Sequence, residues 1–213
     1  GIDLDIAPID GLNPPLQQGA QVRIRIRHCS IEENQLEGIV VDLDTRNKDQ
    51  MDVRIRIDDT LVRANGMTGI FLDGDADAAI RVARCQISAN HGDGISATGI
   101  ASGPIPSVQH CNIIGNGGAG IATYGLGSIA AWHCWVDGNG QGIFRSPRGS
   151  ITFQNSVLSP GTPGLDISSF HYCLVEGNLI PAELPEGVIY DVPQMLGRPI
   201  LYTRGTGLVD GTV

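Results

Sequence analysis

Aspartates recur at one offset in two stretches of this chain. Asp42 and Asp44 follow Ile39 by three and five residues, and Asp73 and Asp75 follow Ile70 by the same three and five, with Asp77 beyond. If the two stretches stack, four or five carboxylates stand together, where like charges raise one another's pKa or recruit a hard cation. Calcium suits such oxygen donors. Asp73-Gly74-Asp75-Ala76-Asp77 has the alternating carboxylates of a calcium loop, but Ala78 stands where such a loop turns on glycine and Arg84 where its closing glutamate belongs. The alternative is a solvated acidic turn balanced by arginines.

Those arginines form a second stripe: Arg23, Arg25 and Arg27, then Arg54 and Arg56, then Arg81 and Arg84. Outward guanidiniums on adjoining strands pair with carboxylates, support a subunit contact, or grip an acidic polysaccharide bidentately. Arg25, Arg54 and Arg56 are the substrate-binding candidates. Trp132 and Trp135 join them as stacking platforms in a stretch, residues 107–160, whose charges are Asp137, Arg145 and Arg148. Tyr124, Phe144, Phe153 and Tyr172 cluster nearby, and exposed aromatics stack on sugar rings or bury in protein contacts.

His28, His110 and His133 each precede a cysteine, either as a ladder of polar rings at a corner or as a pH-sensitive or metal-binding pair. Five cysteines, Cys29, Cys85, Cys111, Cys134 and Cys173, share one position of the repeat described next. They read as buried reduced thiols in a core. One strained disulfide among Cys85, Cys111 and Cys134 is the alternative, and a linear stack cannot place four zinc ligands tetrahedrally.

The elements that position these residues come from an internal repeat. Cys29, Ile31, Asn34, Gly38 and Ile39 return as Thr60, Val62, Asn65, Gly69 and Ile70, then as Cys85, Ile87, Asn90, Gly94 and Ile95. Cys111, Ile113, Asn116, Gly120 and Ile121 follow, then Cys134, Val136 and Asn139 with Gly142-Ile143 one residue early. A degenerate sixth frame takes Asn155, Val157, Gly164 and Leu165, and a seventh takes Cys173, Val175 and Asn178. Val22, Ile24 and Ile26 alternate with Arg23, Arg25 and Arg27, so one face of the strand enters a core and the other meets water. Abundant glycine, few aromatics and no sustained helical period complete an all-β reading. About seven coils of a right-handed parallel β-helix solenoid are expected, with stacked Asn side chains forming a ladder at roughly 4.8 Å.

Over residues 20 to 190 this frame resembles the parallel β-helix repeat proteins of the pectin-lyase-like superfamily. The resemblance implies fold more than chemistry, because that scaffold hosts lyases, hydrolases, epimerases, tailspikes and adhesins. In its lyases an Arg or Lys takes the C5 proton of a uronate while calcium neutralises the carboxylate. No stretch matches the Arg-centred pectate lyase motif, the several-aspartate polygalacturonase motif or the Asp-Pro-His-Glu motif of alginate epimerases.

One domain is the economical division: an N-terminal strand-like extension over 1–18, the β-helix over 19–192 and a C-terminal tail over 193–213. The opening Gly1-Ile2-Asp3, without a leader, is expected of a mature or excised form. Ile2, Leu4, Ile6 and Ile9 alternate like a strand, and Tyr202 and Leu208 lie in an apolar tail, so these residues are the candidates for assembly through unpaired edges. A net charge of −9, with 13 Arg and one Lys, excludes a general nucleic-acid footprint, and no apolar run approaches the ~20 residues of a membrane span. The leading expectation is an extracellular structural or adhesive module that self-associates head to tail without catalysis. The alternatives are a calcium-assisted polysaccharide lyase using the Arg stripe with Asp42, Asp44, Asp73 and Asp75, and a glycan-binding module using Trp132 and Trp135.

Overall fold

The computed structural model describes residues 1–6, 20–43, 51–74, 78–99, 104–145, 148–154, 156–158, 169–171, 174–175, 200–203 and 207–210. The chain opens with β1 (Ile2–Ile6) and then repeats a three-strand frame. The first is β2 (Ala20–Arg27), β3 (Ser30–Glu32) and β4 (Ile39–Leu43); the second is β5 (Met51–Asp58), β6 (Leu61–Arg63) and β7 (Ile70–Gly74). The third is β8 (Ala78–Ala83), β9 (Gln86–Ser88) and β10 (Ile95–Thr98), and the fourth β11 (Ser107–Gln109), β12 (Asn112–Ile114) and β13 (Ile121–Tyr124). Then come β14 (Ser128–Trp132), β15 (Trp135–Asp137) and β16 (Ile143–Arg145), followed by β17 (Ser150–Gln154), β18 (Val157–Leu158), β19 (Ser169–His171) and β20 (Leu174–Val175). A separate antiparallel hairpin joins β21 (Ile200–Thr203) to β22 (Gly207–Asp210).

Through β18 every third strand pairs in parallel with its equivalent one coil away, and β19 and β20 pair with β17 and β18. The first sheet runs β1-β4-β7-β10-β13-β16, the second β2-β5-β8-β11-β14-β17-β19, and the third β3-β6-β9-β12-β15-β18-β20. This is a parallel β-helix, and no helix occurs among the described residues. None is therefore long and apolar enough to cross a membrane.

The interior is a set of columns. Ile39, Ile70, Ile95, Ile121 and Ile143 stack from the first sheet, Ile57, Val82, Val108, Ala131 and Phe153 from the second, and Val62, Ile87, Ile113, Val136 and Leu158 from the third, all buried. Each fully buried Ile or Val contributes about 1.5–3 kcal/mol of transfer free energy, and none does so until a neighbouring coil covers it.

Two corners shape each coil. Between the second and third sheets the chain turns through a left-handed residue: His28, Asp59, Arg84, His110 and His133, with φ between 51° and 53°. The carbonyl two residues before the cysteine position accepts the corner N–H of the preceding coil and keeps a second lone pair, which a small side chain with one hydrogen to give answers from the cysteine position. Thr60 donates to the Asp58 carbonyl at 2.8 Å, and Cys85, Cys111 and Cys134 donate to those of Ala83, Gln109 and Trp132, each at 3.3 Å. Ser156 does the same to Gln154 at 3.0 Å. The cysteine column is thus a column of small donors, and Cys29, Cys85, Cys111 and Cys134 are free thiols.

The sequence frame set Asn155 and Val157 at the inward positions of the sixth repeat. The structure instead pairs Trp135 with Val157 and Val136 with Leu158, so Ser156 and Leu158 point inward and the frame shifts by one residue. A cysteine-to-serine exchange conserves the donor while hiding the match.

On the far side of the third sheet, Asn34, Asn65, Asn90, Asn116 and Asn139 form the ladder. Each Nδ2 donates to the next Oδ1, at 2.7, 2.8, 2.9 and 2.9 Å, and each backbone N–H of Asn34, Asn65, Asn90 and Asn116 donates to the same oxygen. The N-terminal ammonium of Gly1 donates to Asn34 Oδ1 at the ladder's first rung.

Candidate functional site

The outward residues of the second sheet carry the densest charge. The register of β2, β5 and β8 builds three outward columns side by side. One column holds Arg23, Arg54 and Ala79; the next holds Arg25, Arg56, Arg81 and, continuing through β11, Ser107. The third runs Arg27, Asp58, Ala83, Gln109, Trp132 and Gln154. Alternation forces this arrangement, because Ile24, Ile26, Ile55, Ile57, Ile80 and Val82 between the arginines point into the core.

Like charges on directly opposed residues repel, so the stack needs counterions. Asp58 supplies one from within the third column: its carboxylate is buried, 3.3 Å from Arg25 Nη2 and 3.6 Å from Arg84 Nη2. Asp59, at the corner, takes a bidentate grip from Arg84, with Nε at 2.6 Å and Nη2 at 2.9 Å, and lies 3.6 Å from Arg27 Nε. The Arg84 hydrogen bonds hold the Asp59 carboxyl at about 2, below its ordinary 3.8, and the same contact raises the Arg84 guanidinium. Arg54 bonds Asp52 at 3.1 and 3.0 Å, and Arg23 donates to Gln21 at 2.9 Å.

Arg56 and Arg81 are left over. They are direct neighbours in the middle column, and no ion pair holds either among the described residues. The Nε–H of Arg81 is buried and has no hydrogen-bond partner among the described residues. Arg56 is exposed and Arg81 half-buried, so both residues are within reach of an incoming anion. Among the described residues of this face and its corner, seven guanidiniums (Arg23, Arg25, Arg27, Arg54, Arg56, Arg81, Arg84) meet three carboxylates (Asp52, Asp58, Asp59), in a chain whose net charge is −9. What the arrangement can do is bind an extended polyanion lying along the solenoid axis, where successive rungs present guanidiniums roughly 4.8 Å apart.

The structure brings Arg25, Arg54 and Arg56 together on this face, adds Arg81, and places Trp132 in its third column. Trp135 is elsewhere. It stands on the third sheet in an outward column with Gln86 and Asn112, and is about half exposed. The expected two-tryptophan platform is therefore divided by the corner at His133. Tyr124 is on the first sheet, where its hydroxyl donates to buried Asp93 at 2.8 Å.

Asp42 and Asp73 are register partners on the first sheet, with the backbone of Asp5 pairing below Asp42. Asp44, Asp75 and Asp77 lie outside the described residues. Two carboxylates supply at most four of the six to eight oxygens that calcium takes, and no group of three or more metal-ligating side chains converges among the described residues. At the N-terminal end, β1 pairs along one edge with β4, and Ile2 and Leu4 pack against the core, so the strand lies on its own first coil. Ile9 lies outside the described residues, whereas Tyr202 and Leu208 are backbone register partners in the β21–β22 hairpin.

Sequence reasoning missed Asp58 as the buried counterion. Its signal was present: aligning the repeat sets Asp58-Asp59 where other coils carry Arg27-His28, Ala83-Arg84 and Gln109-His110.

A family model described as "Right handed beta helix region" matches residues 16–180. One solved structure, the periplasmic alginate epimerase AlgG, is similar at 16% identity with a TM-score of 0.44, over 74% of this chain and 46% of that one. The chain thus spans under half the length of that protein. No curated protein matches.

Proposed function

The chain belongs to the right-handed β-helix family, and on that footing we propose that it is an extracellular, non-catalytic module that binds an acidic polysaccharide along the arginine face of its second sheet. The observation that carries this reading is the pair Arg56 and Arg81, stacked on adjacent rungs, neither held by an ion pair among the described residues. Binding without chemistry is favoured because the described carboxylates of the face, Asp52, Asp58 and Asp59, are each engaged by arginine. With those carboxylates engaged, Arg56 and Arg81 remain as the positive track of the face.

The test is calorimetric titration of the whole chain with polygalacturonate, alginate and a neutral glucan at low salt, with product absorbance for an unsaturated uronate followed in parallel. Binding of an acidic polymer that weakens about tenfold or more in Arg56→Ala and Arg81→Ala, and weakens with salt, supports the reading. Binding unaffected by both substitutions overturns the site, and a steadily accumulating unsaturated product overturns the non-catalytic role.

End-to-end self-association is the second reading. It is favoured by β1, β2 and β3, the outermost strands of the three sheets, which have no strand beyond them among the described residues. Light scattering of the full chain against a variant lacking residues 1 to 10 tests it. Oligomers lost on deletion support it, and a monomer in both cases overturns it.

A further inference from the structure

The left-handed corner holds a second constellation that neither the arginine face nor the acid pair uses. His110 and His133 occupy the same corner position on adjacent coils, both at φ 53°. Their backbones are fixed there, His110 N–H donating to the Trp132 carbonyl at 3.0 Å and His133 N–H to that of Gln154 at 3.0 Å. The two rings stack with centroids 4.8 Å apart and planes inclined by 20°. Both side chains are exposed, and no described residue hydrogen-bonds or ion-pairs either ring.

The surroundings suit a cation. Gln109 and Trp132 flank the pair on the second sheet, and Asn112 and Trp135 on the third, all uncharged. The nearest guanidinium in the column, Arg84, is committed to Asp59 and Asp58 on the coil side away from His110. Imidazole nitrogens select the late first-row divalent ions, copper, nickel and zinc, in preference to calcium or magnesium.

We propose that His110 and His133 form a two-imidazole site for such a divalent ion, with water completing its coordination. Stacked rings direct their lone pairs in parallel, so binding tilts the rings toward one another until each nitrogen reaches about 2.0–2.1 Å from the metal. Among the described residues neither ring has a hydrogen bond to break in doing so. The corner backbone, held by the two hydrogen bonds to the next coil, stays in place.

The molecule supplies its own reporter. Its only two tryptophans, Trp132 and Trp135, are the residue before His133 and the second residue after it. Titrating the full chain with Cu2+ while following tryptophan emission therefore reads this corner, and electron paramagnetic resonance counts the nitrogen ligands. Expected are saturable one-site quenching and a two-nitrogen signature. His110→Asn and His133→Asn should each weaken binding by more than the about tenfold that losing an outer-shell partner costs. Asparagine tolerates the left-handed backbone, so these variants retain the corner, and circular dichroism checks that they do. His28→Asn, at the equivalent corner of the first coil, should bind as the parent does. Unchanged quenching in the His110→Asn/His133→Asn double variant, or loss of it in His28→Asn alone, overturns the proposal, as does a titration showing no saturable quenching.

Discussion

Replacing Asn90 by alanine removes the middle rung of the asparagine ladder. Asn90 Oδ1 accepts from Asn65 Nδ2 at 2.8 Å and from Asn65 N–H at 3.1 Å, and its Nδ2 donates to Asn116 Oδ1 at 2.9 Å and to the Val62 carbonyl at 3.3 Å. Four bonds at about 1 kcal/mol net each, with the buried Asn65 N–H left without an acceptor, give a loss of about 3–5 kcal/mol. Asn34→Ala is the internal comparison. That residue is half-buried at the end of the ladder and its own backbone N–H keeps its bond to Asn65 Oδ1, so only the Nδ2 bond to Asn65 and the Gly1 nitrogen's bond to Oδ1 are lost, costing about 1–2 kcal/mol. Guanidinium unfolding followed by circular dichroism measures both. Hydrogen exchange of the Asn65 amide adds a local reading, since a solenoid can open coil by coil. Equal costs for the two variants, or less than about 1.5 kcal/mol for Asn90→Ala, would refute the ladder as a cooperative device.

Other outcomes follow from the same packing. Asp59 has a folded-state pKa of about 2 against its ordinary 3.8, held down by Arg84. Its stabilising contribution is therefore complete above the ordinary value and disappears as pH falls toward 2, so the Tm advantage of the parent over Asp59→Asn should vanish across that window. A methyl group at Gly69 would meet the Gly94 carbonyl oxygen at 2.7 Å and Asn90 Nδ2 at 2.8 Å, so Gly69→Ala should lose about 1–3 kcal/mol in the same unfolding assay. The neighbouring Cys111 thiol and burial push the Cys85 thiol far above the usual range, and the Cys134 thiol and burial, against a lowering contact from Cys85, push Cys111 up to about 12. Disulfide reagents should modify Cys85, Cys111 and Cys134 only on unfolding, and rapid modification in native buffer would refute the buried column.

Most of the solenoid was legible because its rules are local. The Cys-Ile-Asn-Gly-Ile frame records an alternation of period two, a small donor after a left-handed corner, and an amide able to bond the rung above. These requirements act within about ten residues, and the sequence must restate them on every coil. The sixth repeat shows the limit. Serine at 156 keeps the donor but not the letter, and in a period-two strand a one-residue error turns every side chain to the opposite face, so Leu158 holds the buried position expected of Val157.

The candidate sites were less legible because they form between coils. That Arg25, Arg56 and Arg81 share a column, that Asp58 slides beneath Arg25 and Arg84, and that Trp132 and Trp135 look out from different sheets all depend on how far each coil advances before it closes on the last. By itself the sequence determined which residues point inward and where the chain turns, since sterics and alternation operate on neighbours in the chain. Only the tertiary structure decided which outward side chains meet, because the connections between coils vary in length and the register of parallel strands is set by the core closing beneath them.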